Sequence, residues 1–275
     1  MEIIEILKAV LFGIVEGITE WLPISSTGHM ILLDEFVKLN VSEEFLEMFL
    51  VVIQLGAILA VLVLFWNQLW PFSVKEKYFI KKDTFQMWFK ILVACVPAAV
   101  IGLLYDDVLN ELFYNYQTVA MALIIFGILF IVIERQNRDM RIRVNSIAQI
   151  TYPVAIWIGV FQLIAAVFPG TSRSGATILG ALMIGVSRTV AAEFTFFLAV
   201  PVMLGASLLK IVKFGLAFTV DEVILLGTGM VVAFVVSIAV IKFLLGYIRK
   251  HSFVAFGWYR IVLGIVVLGY FWLRG

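Results

Sequence analysis

Cysteine, histidine and charge are all scarce in this 275-residue chain. The one cysteine, Cys95, sits in an apolar stretch, which excludes disulfides and cysteine-ligated metal sites. Charged residues make up 14% of the chain, where ordinary soluble domains carry about 25%. That shortage excludes a soluble globular enzyme, a disordered chain and a nucleic-acid binder. Lys and Arg number 20 and Asp and Glu 19, so the net charge of +1 says nothing about partners. A cleavable leader is not expected either. The first apolar stretch carries Glu2, Glu5 and Lys8 and ends without a small-residue cleavage site.

What the chain has in abundance is apolar sequence, 63% of its residues, with a mean hydropathy of +1.08. A helix crossing the ~30 Å hydrocarbon layer needs about 20 mostly apolar residues. Runs of that kind lie near 46–66, 87–105, 118–134, 190–212, 222–246 and 255–273. They are too long, and alternate too little, for the strands of a membrane barrel. Two further apolar stretches, near 3–22 and 152–168, run instead into polar segments, Glu20 to His29 and Pro169 to Thr177, that are followed by more apolar sequence. Irregular backbone at membrane depth is tolerated only where protein or a water-filled cavity covers it. The expectation is an all-α polytopic membrane protein with about six full transmembrane helices and two re-entrant helix–loop–helix hairpins. The alternative is two more complete spans joined by surface loops.

Short loops rich in Lys and Arg face the cytoplasm. Such loops carry Lys75, Lys77, Lys81 and Lys82, then Arg135, Arg138, Arg141 and Arg143, then Arg249 and Lys250, whereas the 105–117 loop has Asp106, Asp107 and Glu111 and no basic residue. Both termini are then outside, with the first hairpin entering from the outer face and the second from the inner. Lys210 and Lys213 run against this orientation.

The two halves, about 1–135 and 150–275, also resemble each other. Glu44-Phe45 matches Glu193-Phe194 and Leu55-Gly56-Ala57 matches Leu204-Gly205-Ala206 at one constant offset, and Gly13 to Glu16 aligns with Gly159 to Gln162. Pro23-Ile24-Ser25-Ser26 aligns with Pro169-Gly170-Thr171-Ser172. Three crossings per half make this an inverted-topology repeat, a plan whose sites lie near the bilayer midplane, where broken helices of the two halves meet.

The residues able to do chemistry cluster in those two polar segments. Glu16 and Glu20 are spaced i, i+4 and share a helix face. Two such carboxylates need a cation, a metal or a shared proton, and Mg²⁺ or Ca²⁺ suits oxygen ligands; a solvated pair at a helix end is the plainer reading. Ser25, Ser26 and Thr27 precede Gly28-His29. Hydroxyls and free N–H groups at a helix start make an anion site, and Ser26 with His29 fits a nucleophile and its base, although Ser25 and Thr27 equally suit helix caps. Arg173, between Ser172 and Ser174 and flanked by Gly170 and Gly175, is expensive in apolar sequence unless it binds an anion or pairs with a carboxylate such as Glu20. His251 reads as solvated, Arg188 as lying near the inner end of the second hairpin, and Lys242 and Arg260 as snorkelling or paired. Glu44 and Glu193 read as helix starts.

Together these residues describe a phosphate or diphosphate site inside a membrane, for either hydrolysis of a lipid phosphate or transport of an anion. Three segments, Glu16-x-x-x-Glu20, Trp21 to His29 and Pro169 to Thr177, with Gln54 to Ala57 and Ala199 to Pro201, resemble the signature segments of the undecaprenyl-diphosphate phosphatases, or bacitracin-resistance proteins, over nearly the whole chain. The resemblance implies a bacterial inner-membrane enzyme that removes one phosphate from undecaprenyl diphosphate for carrier-lipid reuse in peptidoglycan synthesis. It also implies a divalent-cation requirement, an active site open to the periplasm, and bacitracin resistance. On this reading Arg173, Ser172, Ser174 and Thr177, in the Gly170 cradle with Ser25 and Thr27, bind phosphate. Ser26 attacks phosphorus, Glu20 supported by Glu16 holds the metal or acts as base, and His29 relays the proton. His29 as nucleophile and direct attack by a metal-activated water remain alternatives. Gly180 and Gly185 suit helix contacts, either within one chain or across a homodimer.

Overall fold

Apolar runs bounded by capping residues become helices throughout the computed structural model, which describes residues 2–74, 76, 79–137 and 140–274. Lys75, Lys77 and Arg138 of the basic loops lie outside the described residues, as do the side chains of Asp106, Asp107, Asn110 and Arg274. In chain order the helices are α1 (Ile3–Thr19), α2 (Ser26–Phe36), α3 (Glu43–Val52), α4 (Gln54–Leu64), α5 (Trp66–Leu69), α6 (Lys82–Phe113), α7 (Tyr116–Gln136), α8 (Tyr152–Val167), α9 (Arg173–Met183), α10 (Arg188–Phe214), α11 (Val220–Ile248) and α12 (Val254–Arg274). Among the described residues, β pairing is confined to two isolated bridges.

Six helical segments are long and apolar enough to cross a membrane: Glu43–Leu64, Lys82–Tyr105, Tyr116–Gln136, Arg188–Phe214, Val220–Ile248 and Val254–Leu273. They fall on the six expected runs and make this a multi-pass membrane protein. Their outward faces carry exposed Phe89, Leu103, Val231, Phe243 and Val262, as a hydrocarbon solvent allows. The first span is not continuous. It breaks at Ile53 between α3 and α4, where Gly56 brings the chain so close to α11 that a Cβ would lie 2.0 Å from the Met230 carbonyl oxygen.

The helix ends follow from local chemistry. Ser42, Asn115 and Ser187 each accept the backbone N–H three residues on, and Thr219 with Glu222 forms a reciprocal capping box on α11. Glu44 lies in the first turn of α3 as expected, whereas Glu193 lies a turn deeper in α10, because Ser187 caps that helix earlier. α1 has 17 residues and α8 has 16, about 25 Å at 1.5 Å per residue. α2 and α9 have 11 residues each, about 16 Å by the same rise.

Packing crosses between the halves. α1 lies along α11 and α8 along α6, while α7 pairs with α12 and α10 with α3 and α4. Small residues permit the closest of these crossings: a Cβ on Gly159 would come within 2.3 Å of the Ala94 carbonyl oxygen of α6. Gly180 is also used within the chain, under the ring of Phe161. Arg188, at the start of α10, grips buried Glu134 of α7 through Nε at 2.9 Å and Nη2 at 2.6 Å, and the Phe253 N–H donates to the same carboxylate at 2.9 Å.

Candidate active site

Two chain reversals form the site. α1 ends at Thr19 and α2 begins at Ser26; α8 ends at Val167 and α9 begins at Arg173. Each second helix is capped by a serine with positive φ: Ser25 at φ 73° and Ser172 at φ 69°. Each serine Oγ accepts from the N–H three residues on, Gly28 at 3.3 Å and Gly175 at 3.1 Å. Local geometry therefore matches Ser25 with Ser172, one residue away from the sequence alignment, which had set Ser26 against Ser172. Left-handed backbone in a residue other than glycine costs roughly 1–3 kcal/mol and clusters at functional sites. Its occurrence at the same place in both reversals means that the surroundings hold both loops in shape.

The two reversals touch. Glu20 Oε1 accepts from Arg173 Nη2 at 3.0 Å, and Glu20 Oε2 accepts from Ser26 Oγ at 3.0 Å. The ion pair is enclosed, with side-chain exposures of 12% for Arg173 and 7% for Glu20. Ser174 Oγ donates to the Glu20 carbonyl at 3.0 Å and lies 3.2 Å from Ser172 Oγ. Arg173 Nη1 donates to the Thr195 carbonyl at 2.9 Å, and behind it Thr177 Oγ1 donates to the Arg173 carbonyl at 2.9 Å and meets Thr195 Oγ1 at 2.8 Å. Of the expected residues, Glu20, Ser26, Ser172, Arg173, Ser174 and Thr177 thus belong to one continuous network.

Others stand beside it. Glu16 is buried one turn before Glu20, and its Oε1 has no hydrogen-bond partner among the described residues. Thr27 is half-buried and makes no side-chain hydrogen bond among them. Ser26 does not bond His29. The His29 ring instead places Nδ1 2.7 Å from the Ser25 carbonyl and Nε2 2.7 Å from the Tyr259 hydroxyl, and stacks on Tyr259. A carbonyl only accepts, so Nδ1 carries the proton and Nε2 accepts from Tyr259. Gly170, at φ +89°, has no room for a side chain, since a Cβ would sit 2.5 Å from the Val119 carbonyl oxygen.

Arg260 of α12 is the residue that the sequence placed wrongly. It does not snorkel, and among the described residues it pairs with no carboxylate. It is fully buried, and its guanidinium donates to the carbonyls of Pro23 at 3.2 Å, Gly170 at 3.0 Å and Thr171 at 2.7 Å, with Ala122 at 3.5 Å. Thr195 and Tyr259 were also unforeseen. Gln162, which the repeat set against Glu16, is buried, and its amide meets only the weakly bonding Cys95 thiol among the described residues. Thr171 Oγ1 and Arg173 Nε are buried with no partner among them. Buried polar atoms normally find partners, and such a concentration beside the Glu20–Arg173 pair marks a place for a polar ligand or water.

The profile of the bacitracin resistance protein BacA matches residues 9–266. The chain belongs to the BacA family. Relatives of this BacA-family chain include the undecaprenyl-diphosphatase of Desulfitobacterium hafniense, 68% identical over all of this chain and 99% of the relative. The undecaprenyl-diphosphatase 1 of Clostridium acetobutylicum is 65% identical over 98% of this chain and 99% of its own. An undecaprenyl-diphosphatase of Enterococcus faecalis is 61% identical over 98% of each. The BacA match takes in both chain reversals and α12 as far as Val266, so every residue of the network above lies within the family's span.

Proposed function

We propose that this chain is a membrane phosphatase that converts undecaprenyl diphosphate and water into undecaprenyl phosphate and inorganic phosphate, recycling the carrier lipid for peptidoglycan synthesis and conferring bacitracin resistance. One observation carries the reading: the Ser26 hydroxyl donates to a carboxylate that is itself paired with Arg173. A nucleophile, its base and a phosphate-binding cation stand in direct contact. The names of the relatives supply the lipid.

Ser26 Oγ gives its proton to Glu20 and attacks the terminal phosphorus. The bond from that phosphorus to the bridging oxygen breaks, and undecaprenyl phosphate leaves. Water then cleaves the phosphoserine, releasing phosphate and restoring the hydroxyl. Arg173 suits the charge that builds up on the phosphoryl oxygens, because its Nε is unpartnered and the planar guanidinium matches phosphate. The first turns of α2 and α9 offer the N–H groups that a helix start leaves for an anion, with Ser25, Thr27, Gly170, Ser172, Ser174 and Thr177 shaping the cradle. His29, held between Ser25 and Tyr259, can pass a proton to or from the phosphate once its Nε2 leaves the Tyr259 hydroxyl.

A divalent cation fits here. Glu16 offers a buried, unpartnered oxygen beside Glu20. Among the described residues no group of three or more His, Cys, Asp or Glu side chains forms an all-protein cage, and Mg²⁺ characteristically binds through one or two carboxylates plus substrate phosphates. Glu16 and Glu20 would hold Mg²⁺ or Ca²⁺, which when bound neutralises phosphate charge.

The same reading places the two reversals within the bilayer as re-entrant hairpins of an inverted repeat in a bacterial inner membrane. Support comes from α1 and α8 being too short to cross it comfortably, from the matched serine caps, and from the exchange of α1 and α8 between halves. With basic loops in the cytoplasm, the first hairpin opens to the periplasm. The contrary charge of Lys210 lies 3.5 Å from Glu47. All the residues named come from one chain, so a homodimer is not required to complete the site. The test is phosphate release from a C55 lipid diphosphate by purified protein, with Mg²⁺ or Ca²⁺ and after chelation. Metal-dependent release with a phosphoserine trapped at Ser26 is expected. No release, alongside lipid movement in vesicles, would mean a carrier and refute the enzyme.

A further inference from the structure

Among ionisable groups outside the proposed chemistry, Arg260 is the least explained by stability alone. A buried guanidinium is costly, and an arginine within a membrane helix normally faces a carboxylate or a water-filled cavity. Arg260 has no ion pair among the described residues. Its neighbours are neutral: backbone carbonyls and the ring of Phe126, 5.8 Å away. Those carbonyls are not scattered. Pro23 precedes the Ser25 cap by two residues, and Gly170 and Thr171 immediately precede the Ser172 cap. One side chain from the far end of the sequence therefore holds the two left-handed loops at once.

We infer that Arg260 is the positioning residue of this site: its guanidinium holds the Pro23, Gly170 and Thr171 carbonyls, locks the two chain reversals against each other and turns the Ser172 N–H towards the phosphate, while the Ile24 and Thr171 N–H groups stay bonded within their own loops. The inference rests on the phosphatase reading above. Its physical basis is the peptide plane, whose C=O and N–H point in opposite directions. When Arg260 draws the Thr171 carbonyl towards itself, the N–H of Ser172 is turned the other way. The N–H groups of Arg173 and Ser174 follow it in the first turn of α9, where no intrahelical acceptor is available. Without the guanidinium, three carbonyl lone pairs would be free to swing towards the ligand and repel it.

The experiment compares Arg260→Met, Arg260→Lys and Gly175→Ala with wild type in detergent, reading kcat and KM for a C55 lipid diphosphate together with the thermal midpoint. Arg260→Met keeps the bulk and removes the donors, so kcat should fall about 100-fold, as when a preorganised donor set is lost, with a much smaller change in KM. Arg260→Lys keeps charge and three donors and should recover about tenfold of that loss. Gly175→Ala leaves the arginine in place but sets a Cβ 2.9 Å from Arg260 Nη1, and should lower kcat in the same direction. A residue that merely stabilised the fold would lower the midpoint and leave kcat per folded molecule unchanged. Wild-type kcat in folded Arg260→Met would overturn the inference. Should that variant not fold, wild-type kcat in both Arg260→Lys and Gly175→Ala would overturn it instead. If wild type itself releases no phosphate, the phosphatase reading fails and takes this role with it.

Discussion

The Arg173–Glu20 pair has two roles to separate, since it both joins the reversals and stands ready for phosphate. Replacing Arg173 by Met removes the Nη2 contact to Glu20 at 3.0 Å and the Nη1 contact to the Thr195 carbonyl at 2.9 Å. What remains is a carboxylate with 7% side-chain exposure, without its cation and with Ser26 Oγ as its side-chain donor. Breaking a buried pair in this way costs roughly 3–5 kcal/mol, most of it from the stranded charge. Activity should fall at least 10²–10³-fold, the usual loss for one oxyanion donor.

The double variant Arg173→Met/Glu20→Gln distinguishes the two roles. A neutral amide is far cheaper to bury than a stranded carboxylate, so most of the lost stability should return, by the logic of a double-mutant cycle. Activity should not return, because neither the base nor the phosphate-binding fork has been restored. Thermal midpoints in detergent and phosphate release from a lipid diphosphate, measured on the same preparations, give both arms. If stability and turnover recover together, the pair is a structural clip and Arg173 has no part in binding phosphate. Near-normal turnover in the single variant would be equally fatal.

Three further outcomes can be checked. Ser172→Gly should lose the cap to Gly175 but relax the φ of 69°, for a net change within about 1 kcal/mol, whereas Ser172→Ala loses the cap, keeps the strain and should cost about 1–2 kcal/mol; equal midpoints would mean that the left-handed backbone is not strained. Glu134→Ala leaves the buried Phe253 N–H without its acceptor and Arg188, whose side chain is 37% exposed, to solvent, far along α9 and α10 from Glu20, so the midpoint should fall by the equivalent of about 1–3 kcal/mol while kcat of the folded protein holds; a selective loss of kcat would tie that end of the molecule to the chemistry. In a Cys95→Ala background, Asn115→Cys should react with an impermeant thiol reagent from outside intact cells, and Arg141→Cys only after lysis. The reverse pattern would invert the proposed orientation.

What the sequence made legible were features carried by local pattern. The six spans are runs of 20 or so apolar residues, and length and composition alone find them. The two polar reversals stood out because Glu20, Arg173 and their serines are conspicuous against apolar surroundings. Local pattern fails where a contact joins distant positions. Ser26 and His29 are three residues apart and invited pairing, yet Ser26 reaches back to Glu20 and His29 reaches 230 residues forward to Tyr259. The break at Ile53, beside the close passage of α11, is invisible in the uniform run around it. Arg260 did send a signal, a full charge in an apolar helix. In sequence alone such a charge can equally snorkel or pair, and the packing of α12 against α7 and α2 is what closes the route to water.

The departures from symmetry between the reversals explain why they meet at all. Matched by their serine caps, Ser26 at the start of α2 corresponds to Arg173 at the start of α9, and the repeat sets Glu16 against Gln162. Two identical tips would bring either two acids or two guanidiniums together in a setting where like charges are poorly screened. Concentrating the acids on one tip and the guanidinium on the other turns that repulsion into the 3.0 Å contact of Glu20 with Arg173. Under the proposed mechanism the arrangement also separates the chemical roles, because a hydroxyl nucleophile needs the base beside it and the phosphate needs the cation opposite. A chain in which Gln162 is replaced by Glu should weaken both: the added carboxylate would compete with Glu20 for Arg173, and lipid diphosphate should bind less tightly, with a raised KM. An unchanged KM in a folded Gln162→Glu variant would show that the acid content of the second reversal is not under electrostatic constraint.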